Sequence, residues 1–350
     1  MADDKARAEL RFTKPVIAGV VTTVGGKQVS FAEAAEGYGL SPAEAARLQT
    51  AVGLDRRQVV EGDQTTVDLC LASARHLLDG LAIDPRQIAA LLLVTQSPDY
   101  AAPSSATTLQ AKLGLPVTSM AFDIRLGCSG FVYGLSVAYS LVEAGLQRVL
   151  LCVGDVASRF VDSHDHSIAP IMGDAGSAVL VERRESESFF QLYSDGSGAR
   201  ALMIPNSGMR NLPEDEGKPA LMQMDGAAVF NFTLQRVPGM INDILAYSRH
   251  GIDDIDLFVL HQPNKYILRN LQKRLKISEE KIPMATQSVY GNQNSASIPG
   301  TISGFLSEPY GRGKVRSLFA GFGIGLSWGA CVVETDSIFA PPPIVGLKGQ

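Results

Sequence analysis

The sequence predicts an α/β fold built from two similar halves, and three features support this prediction. First, an apolar segment that ends in a polar pair occurs twice, as RQIAALLLVTQSP at 86–98 and as IDDIDLFVLHQP at 252–263. Second, further matching segments follow in the same order, RVLLCVGD and GSAVLVER in the first half and VRSLFAGFG and GACVVETD in the second. Third, the strand candidates are continuously apolar, as expected for sheets covered on both faces; they span 90–95, 148–153, 256–260 and 315–320. Repeated strand–helix units of this kind are typical of α/β architecture.

We place the boundary between the halves at residue 185, which gives an N-terminal half, 1–185, and a C-terminal half, 186–350. The alternative is chance similarity, because apolar strands resemble one another. Three matches in the same order favour duplication. A duplicated fold brings equivalent loops of both halves together at a pseudo-twofold axis. Only the last dozen residues, which include three consecutive prolines, are expected to form a tail.

The composition is that of a globular protein and argues against several classes of function. The chain has 350 residues, of which 45% are hydrophobic and 19% charged, and a net charge of −5. No basic bias suggests binding to nucleic acid or to an anionic membrane. No apolar run is long enough to span a bilayer, and the charged segment 1–14 lacks the apolar core of a signal peptide. The four cysteines are widely spaced without a CxxC pair, which argues against disulfides and favours a cytoplasmic location.

Cys128 is the strongest candidate for a reactive side chain. A strand-like segment, 121–124, precedes it, Gly127 and Gly130 flank it, and a long apolar helix candidate that ends at Gly145 follows. A thiol at such a turn lies at the positive end of a helix dipole, which favours the nucleophilic thiolate. The alternative is a small buried hydrophobic residue, which is a common role of free cysteine.

Six motifs taken together resemble the β-ketoacyl-ACP synthase III branch of the thiolase superfamily. They occur in the order of that family over about residues 15–335, as GCSG (127–130), GDAGSAVL (173–180), MDGAAVFNF (224–232), HQPN (261–264), GNQNSASIP (291–299) and GFGIGLSWGA (321–330). The resemblance implies the thiolase fold, in which two α/β halves stack as five αβαβα layers, usually in a homodimer. It also implies an acyltransferase that uses acyl-CoA or acyl carrier protein (ACP) thioesters as substrates and needs no cofactor.

Carried over position by position, the resemblance implies roles for individual residues. Cys128 matches the acyl-accepting nucleophile, His261 the catalytic histidine and Asn292 the catalytic asparagine. Asn294 lies nearby but falls where the family usually has a small residue, so Asn292 is the preferred candidate. The backbone N–H groups of Cys128 and Ile324 are expected to form the oxyanion hole.

The leading hypothesis is a decarboxylative Claisen condensation. An acyl group carried as a thioester on Cys128 stays activated, and it is attacked by the enolate of malonyl-ACP or malonyl-CoA. His261 and Asn292 can donate hydrogen bonds to the enolate oxygen. The alternatives are a non-condensing acyltransferase that passes the acyl group from Cys128 to another acceptor, and a non-catalytic partner subunit of a synthase. The primer, the carrier and the pathway stay open.

Several positions depart from the pattern of housekeeping relatives. Arg47 and Ala51 stand where those relatives hold the adenine of CoA with a tryptophan and an arginine, and His166 and Tyr266 stand at positions that are basic in the family. These differences predict either weak CoA binding or an acyl donor carried on a protein.

The acyl pocket is also expected to differ. Ala102 occupies a position before a proline where many relatives place a phenylalanine of the partner subunit at the pocket floor. We therefore expect a larger acyl pocket, bounded by Ala102 and Phe322, and a primer of medium or greater length.

Two clusters of basic and histidine residues could be binding sites, but each also has a simpler structural interpretation. Lys265, Arg269 and Lys273 recur every four residues after HQPN, so they lie on one face of a predicted helix beside His261. They are candidates for docking the acidic ACP, and the alternative is an ordinary solvated face. His164 and His166 have no third ligand at metal spacing, so we predict a loop and no metal site.

Overall fold

The fold is seen in a computed structural model, which describes residues 6–210, 213–311 and 313–347. The extreme ends of the predicted halves, 1–5 and 348–350, therefore lie outside the described residues. The strands are β1 (Ala8–Phe12), β2 (Pro15–Val24), β3 (Lys27–Ser30), β4 (Arg56–Val59), β5 (Ala90–Val94), β6 (Met120–Ile124), β7 (Arg148–Asp155), β8 (Ala175–Arg183), β9 (Ser188–Ser194), β10 (Leu202–Met203), β11 (Gln223–Met224), β12 (Leu257–Leu260), β13 (Lys314–Gly323), β14 (Ser327–Asp336) and β15 (Ile344–Val345).

The α-helices connect these strands and cover the sheets. They are α1 (Phe31–Ala35), α2 (Pro42–Val52), α3 (Thr66–Gly80), α4 (Ser105–Leu113), α5 (Gly130–Glu143), α6 (Gly226–Ser248), α7 (Lys265–Leu275), α8 (Thr286–Tyr290), α9 (Ser297–Phe305) and α10 (Ser307–Gly311). No helix in the described part of the chain is long and apolar enough to cross a membrane.

Two mixed sheets repeat one strand order, and this repetition confirms the predicted α/β fold. The first sheet has the order β15-β2-β8-β7-β5-β6 and the second the order β1-β9-β14-β13-β12. In both, a parallel pair, β5–β7 or β12–β13, continues into antiparallel neighbours. Helices α3 and α4 cover the outer face of the first sheet, α6 and α7 cover the outer face of the second, and α5 and α9 lie between the sheets. These are the five layers of the thiolase fold.

The central layer joins both halves into one apolar core. Its helix α5 carries fully buried residues, and Phe131 of this helix meets Phe319 of β13 edge to face, with ring centroids 5.7 Å apart. Aromatic pairs in this arrangement stabilise a core beyond the area they bury. The contact joins a helix of the first half to a strand of the second, so the two sheets are held by shared packing.

The chain ends do not follow the predicted division. The boundary at residue 185 falls between β8 and β9, which lie in different sheets. However, β1 pairs with β9 in the second sheet, and β15 pairs with β2 in the first. Each end of the chain therefore completes the sheet of the other half. The expectation that the last dozen residues form a tail is wrong, because Ile344 and Val345 add a parallel strand there.

We expect Phe131→Ala to lower the free energy of unfolding by about 3–5 kcal/mol, because it leaves a cavity between the two sheets. Urea titration followed by circular dichroism measures this change. Val117→Ala is the control, since Val117 is 97% exposed, and it should change stability by less than about 0.5 kcal/mol. A loss below about 1 kcal/mol for Phe131→Ala would contradict a core shared by the two halves.

Candidate active site

Cys128 lies in a tight turn between β6 and α5, two residues before the first residue of the helix. Other parts of the chain approach this turn closely. A Cβ atom built on Gly127 would lie 2.2 Å from Oε1 of Gln96, and one on Gly323 would lie 2.7 Å from Cβ of Cys128 and 2.9 Å from its Sγ. Glycine is therefore required at position 323 for the two halves to meet around the thiol, whereas a Cβ at position 127 would displace the side chains of Gln96 and Ile324.

Burial decides the protonation state of this thiol. Cys128 is 7% exposed, and desolvation raises its pKa to about 12, although the backbone N–H groups of Ile324 and of Cys128 itself favour the charged form. The predicted position at a helix N-terminus is correct. The predicted preference for the thiolate is wrong for the resting protein, because burial opposes the charge more strongly than these donors support it.

His261 follows β12 and is 2% exposed. Its Nδ1 lies 2.8 Å from Oγ of Ser297, and its ring meets that of Phe322 edge to face at 5.5 Å. Burial lowers the pKa of His261 to about 3, and a hydrogen bond with the backbone of Asn294 offsets only part of this effect. The imidazole is therefore neutral at physiological pH, and a neutral imidazole carries one N–H donor.

We assign the tautomer of His261 from the contacts of its neighbour Ser297. The Ser297 hydroxyl oxygen accepts a hydrogen bond from the backbone N–H of Gln262, at 3.4 Å. The hydroxyl proton is then available to Nδ1 of His261. This assignment leaves the ring proton on Nε2, where it can be donated to a ligand.

Asn292 is fixed by backbone contacts with the segment 156–174, which joins β7 to β8. Its N–H donates to the carbonyl of Ile171 at 2.6 Å, and its carbonyl accepts from the N–H of Gly173 at 3.0 Å. Its side-chain Oδ1 accepts from the backbone N–H of Asn294 at 3.0 Å. The carboxamide nitrogen is therefore the part of Asn292 left to donate to a ligand.

Asn294, which the family resemblance does not predict as a site residue, contacts the thiol directly. Its Oδ1 accepts a hydrogen bond from Sγ of Cys128 over 3.7 Å. The residue is 4% exposed and has a left-handed backbone, with φ of 48°. Asparagine tolerates this conformation better than most residues. That preference is the one feature of the sequence that could have indicated a special role for Asn294.

One apolar cavity of about 180 Å³ unites these groups. Of the predicted residues, the cavity is lined by Cys128, His261, Asn292, Phe322 and Ile324. Its remaining walls are mostly aliphatic, aromatic and methionine side chains, among them Met172, Leu202, Met222, Met224, Val229, Phe230 and Ile267. An apolar cavity with a few convergent polar groups is typical of a small-molecule site.

Ala102 does not line this cavity within one chain. It is exposed on the loop before α4. Its predicted role at the pocket floor depends on a second subunit and stays a prediction.

The predicted docking residues all lie on α7, which begins at the mouth of the cavity. Lys265 is half-buried, because its methylene groups lie against Gly53 at the end of α2. Arg269 and Lys273 are exposed. Tyr266 also lies at the mouth, where it is 53% exposed and stacks on Phe230 with ring centroids 5.5 Å apart.

The histidine-rich loop is at the surface. Nδ1 of His164 lies 3.1 Å from a carboxylate oxygen of Asp162, and the side chain of His164 is 86% exposed. Within residues 6–210, 213–311 and 313–347, no three histidine, cysteine or acidic side chains are grouped so that they could hold a metal ion.

A buried thiol, a neutral imidazole and a carboxamide around an apolar cavity can form and hold an acyl thioester, and they place hydrogen-bond donors where an oxyanion would develop. Models of the 3-oxoacyl-[acyl-carrier-protein (ACP)] synthase III family match residues 122–202, and those of its C-terminal region match residues 245–335.

Individual relatives agree with these matches. A Campylobacter jejuni protein, provisionally named a 3-oxoacyl-[acyl-carrier-protein] synthase 3, is 33% identical over 97% of this chain and 99% of its own length. A β-ketoacyl-[acyl-carrier-protein] synthase III of Streptococcus equi is 32% identical over 82% of this chain and 90% of its own. The crystal structure of a 3-oxoacyl-(acyl-carrier protein) synthase from Burkholderia xenovorans has a TM-score of 0.90 at 33% identity, covering 97% of this chain and 98% of that one.

Fold and site together define an acyl-transferring condensing enzyme with the thiolase fold. Within that class, the chain belongs to the 3-oxoacyl-[acyl-carrier-protein] synthase III family.

The burial of His261 predicts a pH-dependent stability. Its pKa is about 3 in the folded protein and 6.5 ordinarily. Below pH 6.5 the unfolded chain therefore binds a proton that the folded protein does not, so the free energy of unfolding is highest above pH 6.5 and decreases as the pH falls towards 3. Between pH 7 and pH 5, wild type should lose about 2 kcal/mol relative to His261→Gln, which does not titrate. Urea unfolding of both proteins at both pH values measures this difference. An unchanged difference would show that His261 is not buried as the neutral form.

Proposed function

We propose that this protein catalyses the decarboxylative condensation of an acyl primer with a malonyl thioester, with Cys128 as the nucleophile and His261 and Asn292 as donors to the enolate. The observation that carries the proposal is that all three side chains line one apolar cavity in which the imidazole is neutral. A neutral imidazole can donate a hydrogen bond without bringing in a charge that would hold the malonyl carboxylate.

In the loading step, the Cys128 sulfur attacks the carbonyl carbon of the primer thioester. The bond from sulfur to that carbon forms, the bond to the departing thiol breaks, and the proton of Cys128 ends on that thiol. The oxygen bears negative charge in the intermediate. The backbone N–H groups of Cys128 and Ile324 lie close to the sulfur, which is where donors to this oxygen are needed.

In the condensing step, the malonyl thioester loses carbon dioxide and becomes an enolate. Nε2–H of His261 and the carboxamide nitrogen of Asn292 donate to its oxygen. Preorganised donors of this kind are worth about 3–4 kcal/mol each in a site that excludes water. The enolate carbon then attacks the acyl carbonyl, and the thioester bond to Cys128 breaks. The Cys128 thiolate takes a proton from water, and a β-ketoacyl thioester leaves.

ACP is the proposed carrier of the malonyl substrate. Helix α7 begins at the mouth of the cavity and contains basic residues but no acidic ones. Arg269 and Lys273 are exposed there, so an acidic carrier would meet a basic surface beside the entrance. The pattern of Arg47, Ala51, His166 and Tyr266 supports a donor held through its carrier more than through the nucleotide of CoA.

The proposed homodimer has support at one sheet edge. Strand β6 is the last strand of the first sheet, and all of its residues are exposed or partly exposed, including Met120 at 47%. An apolar edge strand with free backbone groups favours pairing with another chain. In such a dimer, the nearby Ala102 loop would reach the partner's site, and its small side chain would leave room for a medium or longer primer.

The test of the reaction is intact-protein mass spectrometry after exposure to acyl-CoA and acyl-ACP thioesters of graded length, followed by malonyl-ACP. Wild type should gain the acyl mass and lose it when malonyl-ACP is added, with release of carbon dioxide and β-ketoacyl-ACP. Cys128→Ala should gain no mass. Asn292→Ala should load but release carbon dioxide about 10²–10³-fold more slowly.

Other outcomes separate the alternatives. Acylation that persists with malonyl-ACP, without carbon dioxide, would favour transfer to another acceptor. Absence of acylation with every donor would overturn the proposal. Acylation by acetyl thioesters alone would contradict the larger pocket.

The docking surface has its own test. Arg269→Glu should raise KM for malonyl-ACP about fivefold to tenfold, because a rim charge that attracts the carrier becomes repulsive. The KM for malonyl-N-acetylcysteamine, which has no carrier, should not change. Arg86→Glu is the matched control, since Arg86 is exposed. It lies before the N-terminal end of β5, whereas the cavity lies at the C-terminal end of that strand. Equal KM values for Arg269→Glu and wild type would remove α7 from the docking surface.

A further inference from the structure

We infer that Asn294 is a further catalytic residue, whose carboxamide contacts the Cys128 sulfur and stabilises its thiolate during attack on the primer. The inference deepens the proposed function and rests on it for the identity of the nucleophile. The family's motif does not predict this role, because its members usually have a small residue at this position.

Asn294 contacts each of the three residues proposed to carry the reaction. Its Oδ1 is the hydrogen-bond partner of Cys128 Sγ at 3.7 Å. Its backbone N–H donates to Oδ1 of Asn292 at 3.0 Å, and its backbone is also a hydrogen-bond partner of His261. At 4% exposure, this residue forms part of the wall around the thiol.

The backbone determines where this side chain lies. With φ of 48°, Asn294 begins a short 3-10 turn, Asn294–Ala296, that leads into α9. The N–H of Ala296 donates to the carbonyl of Gln293 at 3.0 Å, which closes the turn. A serine or alanine would tolerate the left-handed conformation less well, whereas asparagine and glycine adopt it.

No positively charged group is among the titratable groups that face Cys128 in the described part of the chain, so uncharged hydrogen-bond donors have to stabilise its thiolate. The titratable groups that face it are His261 of the β12 end, which is neutral, and Asp155 at the end of β7, whose negative charge disfavours the thiolate. The backbone N–H groups of Ile324 and Cys128 are two donors to the sulfur. The carboxamide of Asn294 is placed to supply a third.

A carboxamide suits this position because it can act in both protonation states. In the resting protein, its oxygen accepts from the S–H group. When the proton leaves, rotation of the amide by half a turn presents its NH₂ group to the sulfur. Hydrogen bonds to an ionised partner are about twice as strong as those between neutral groups. The rotation of the Asn294 amide therefore stabilises the thiolate and lowers the activation free energy of its attack on the primer.

The rate of alkylation of Cys128 by iodoacetamide at pH 8 tests this role without an acyl donor. The thiolate displaces iodide from the CH₂ carbon, and the proton lost from sulfur goes to buffer. Below the pKa the rate is proportional to the thiolate fraction, so a ratio of rates at one pH reports the change in thiolate stability. Peptide mapping assigns the adduct, and Cys128→Ala gives the background.

Two variants of Asn294 separate the effect of its NH₂ donor from the effect of its side-chain volume. Asn294→Gly keeps the left-handed backbone and removes the carboxamide, and it should react about tenfold more slowly than wild type. Asn294→Asp keeps the shape but has only acceptor oxygens, and it should react about 100-fold more slowly, because its charge also opposes the thiolate. Asn242→Ala, at an exposed position of α6, is the matched control and should react as wild type does.

The outcomes are distinct. If Asn294→Gly reacts as fast as wild type or faster, the carboxamide gives the thiolate no support and the inference is overturned. If Asn294→Gly is slower while wild type shows no condensation in the mass experiment, the contact stands and the proposed function fails. Thermal unfolding of each variant shows whether a slow rate comes from loss of the fold.

Discussion

The close approach of the β13–β14 turn to the Cys128 turn is the constraint on which the rest of the site depends. Gly323 lies so near that a Cβ atom there would overlap Cβ and Sγ of Cys128. This contact places the backbone N–H of Ile324 beside the sulfur, although the two residues come from different halves of the chain. The shared core around α5 and α9 holds this approach in place. A site assembled in this way requires the interface between halves to be as rigid as either half alone.

Burial then sets the protonation states of the thiol and the imidazole at this junction. It keeps the thiol protonated and the imidazole uncharged at rest. Both effects have one physical cause, the cost of placing a charge away from water. A neutral imidazole suits decarboxylation, because a donor is needed only once charge develops on the enolate. The thiol is the group that this environment penalises, and so it needs donors at the moment of attack. Nearby N–H groups and carboxamides provide them without adding a second charge.

Much of this arrangement could be predicted from the sequence, and the reasons for the failures are physical. The strands and the duplicated order were predictable because continuous apolar runs and their repetition are local patterns. The meeting of Cys128, His261 and Asn292 at one cavity was predictable because each stands in a short motif. The direction of the Cys128 pKa shift was not predictable. The sequence shows that a helix begins after Cys128, but it does not show that distant segments bury the thiol. Asn294 was missed for a similar reason, since its contact depends on a left-handed backbone at the meeting of two halves. The strand at Ile344–Val345 was missed because its proline-rich approach is typical of a tail.

The two halves have diverged most where the site needs asymmetry. The loop before α5 supplies Cys128, and the equivalent region before α9 supplies Asn292 and Asn294. The segment 156–174 joins β7 to β8, whereas only residues 324–326 join the equivalent strands β13 and β14. This longer segment reaches across to the second half, where Ile171 and Gly173 bond the backbone of Asn292. Without this segment, the Asn292 backbone would lose both partners and its carboxamide would lose a fixed direction. The extra segment therefore converts a symmetric junction into a site with the Cys128 thiol on one side and two carboxamides on the other. That asymmetry is what condensation requires, because its two substrates occupy the same cavity in different roles.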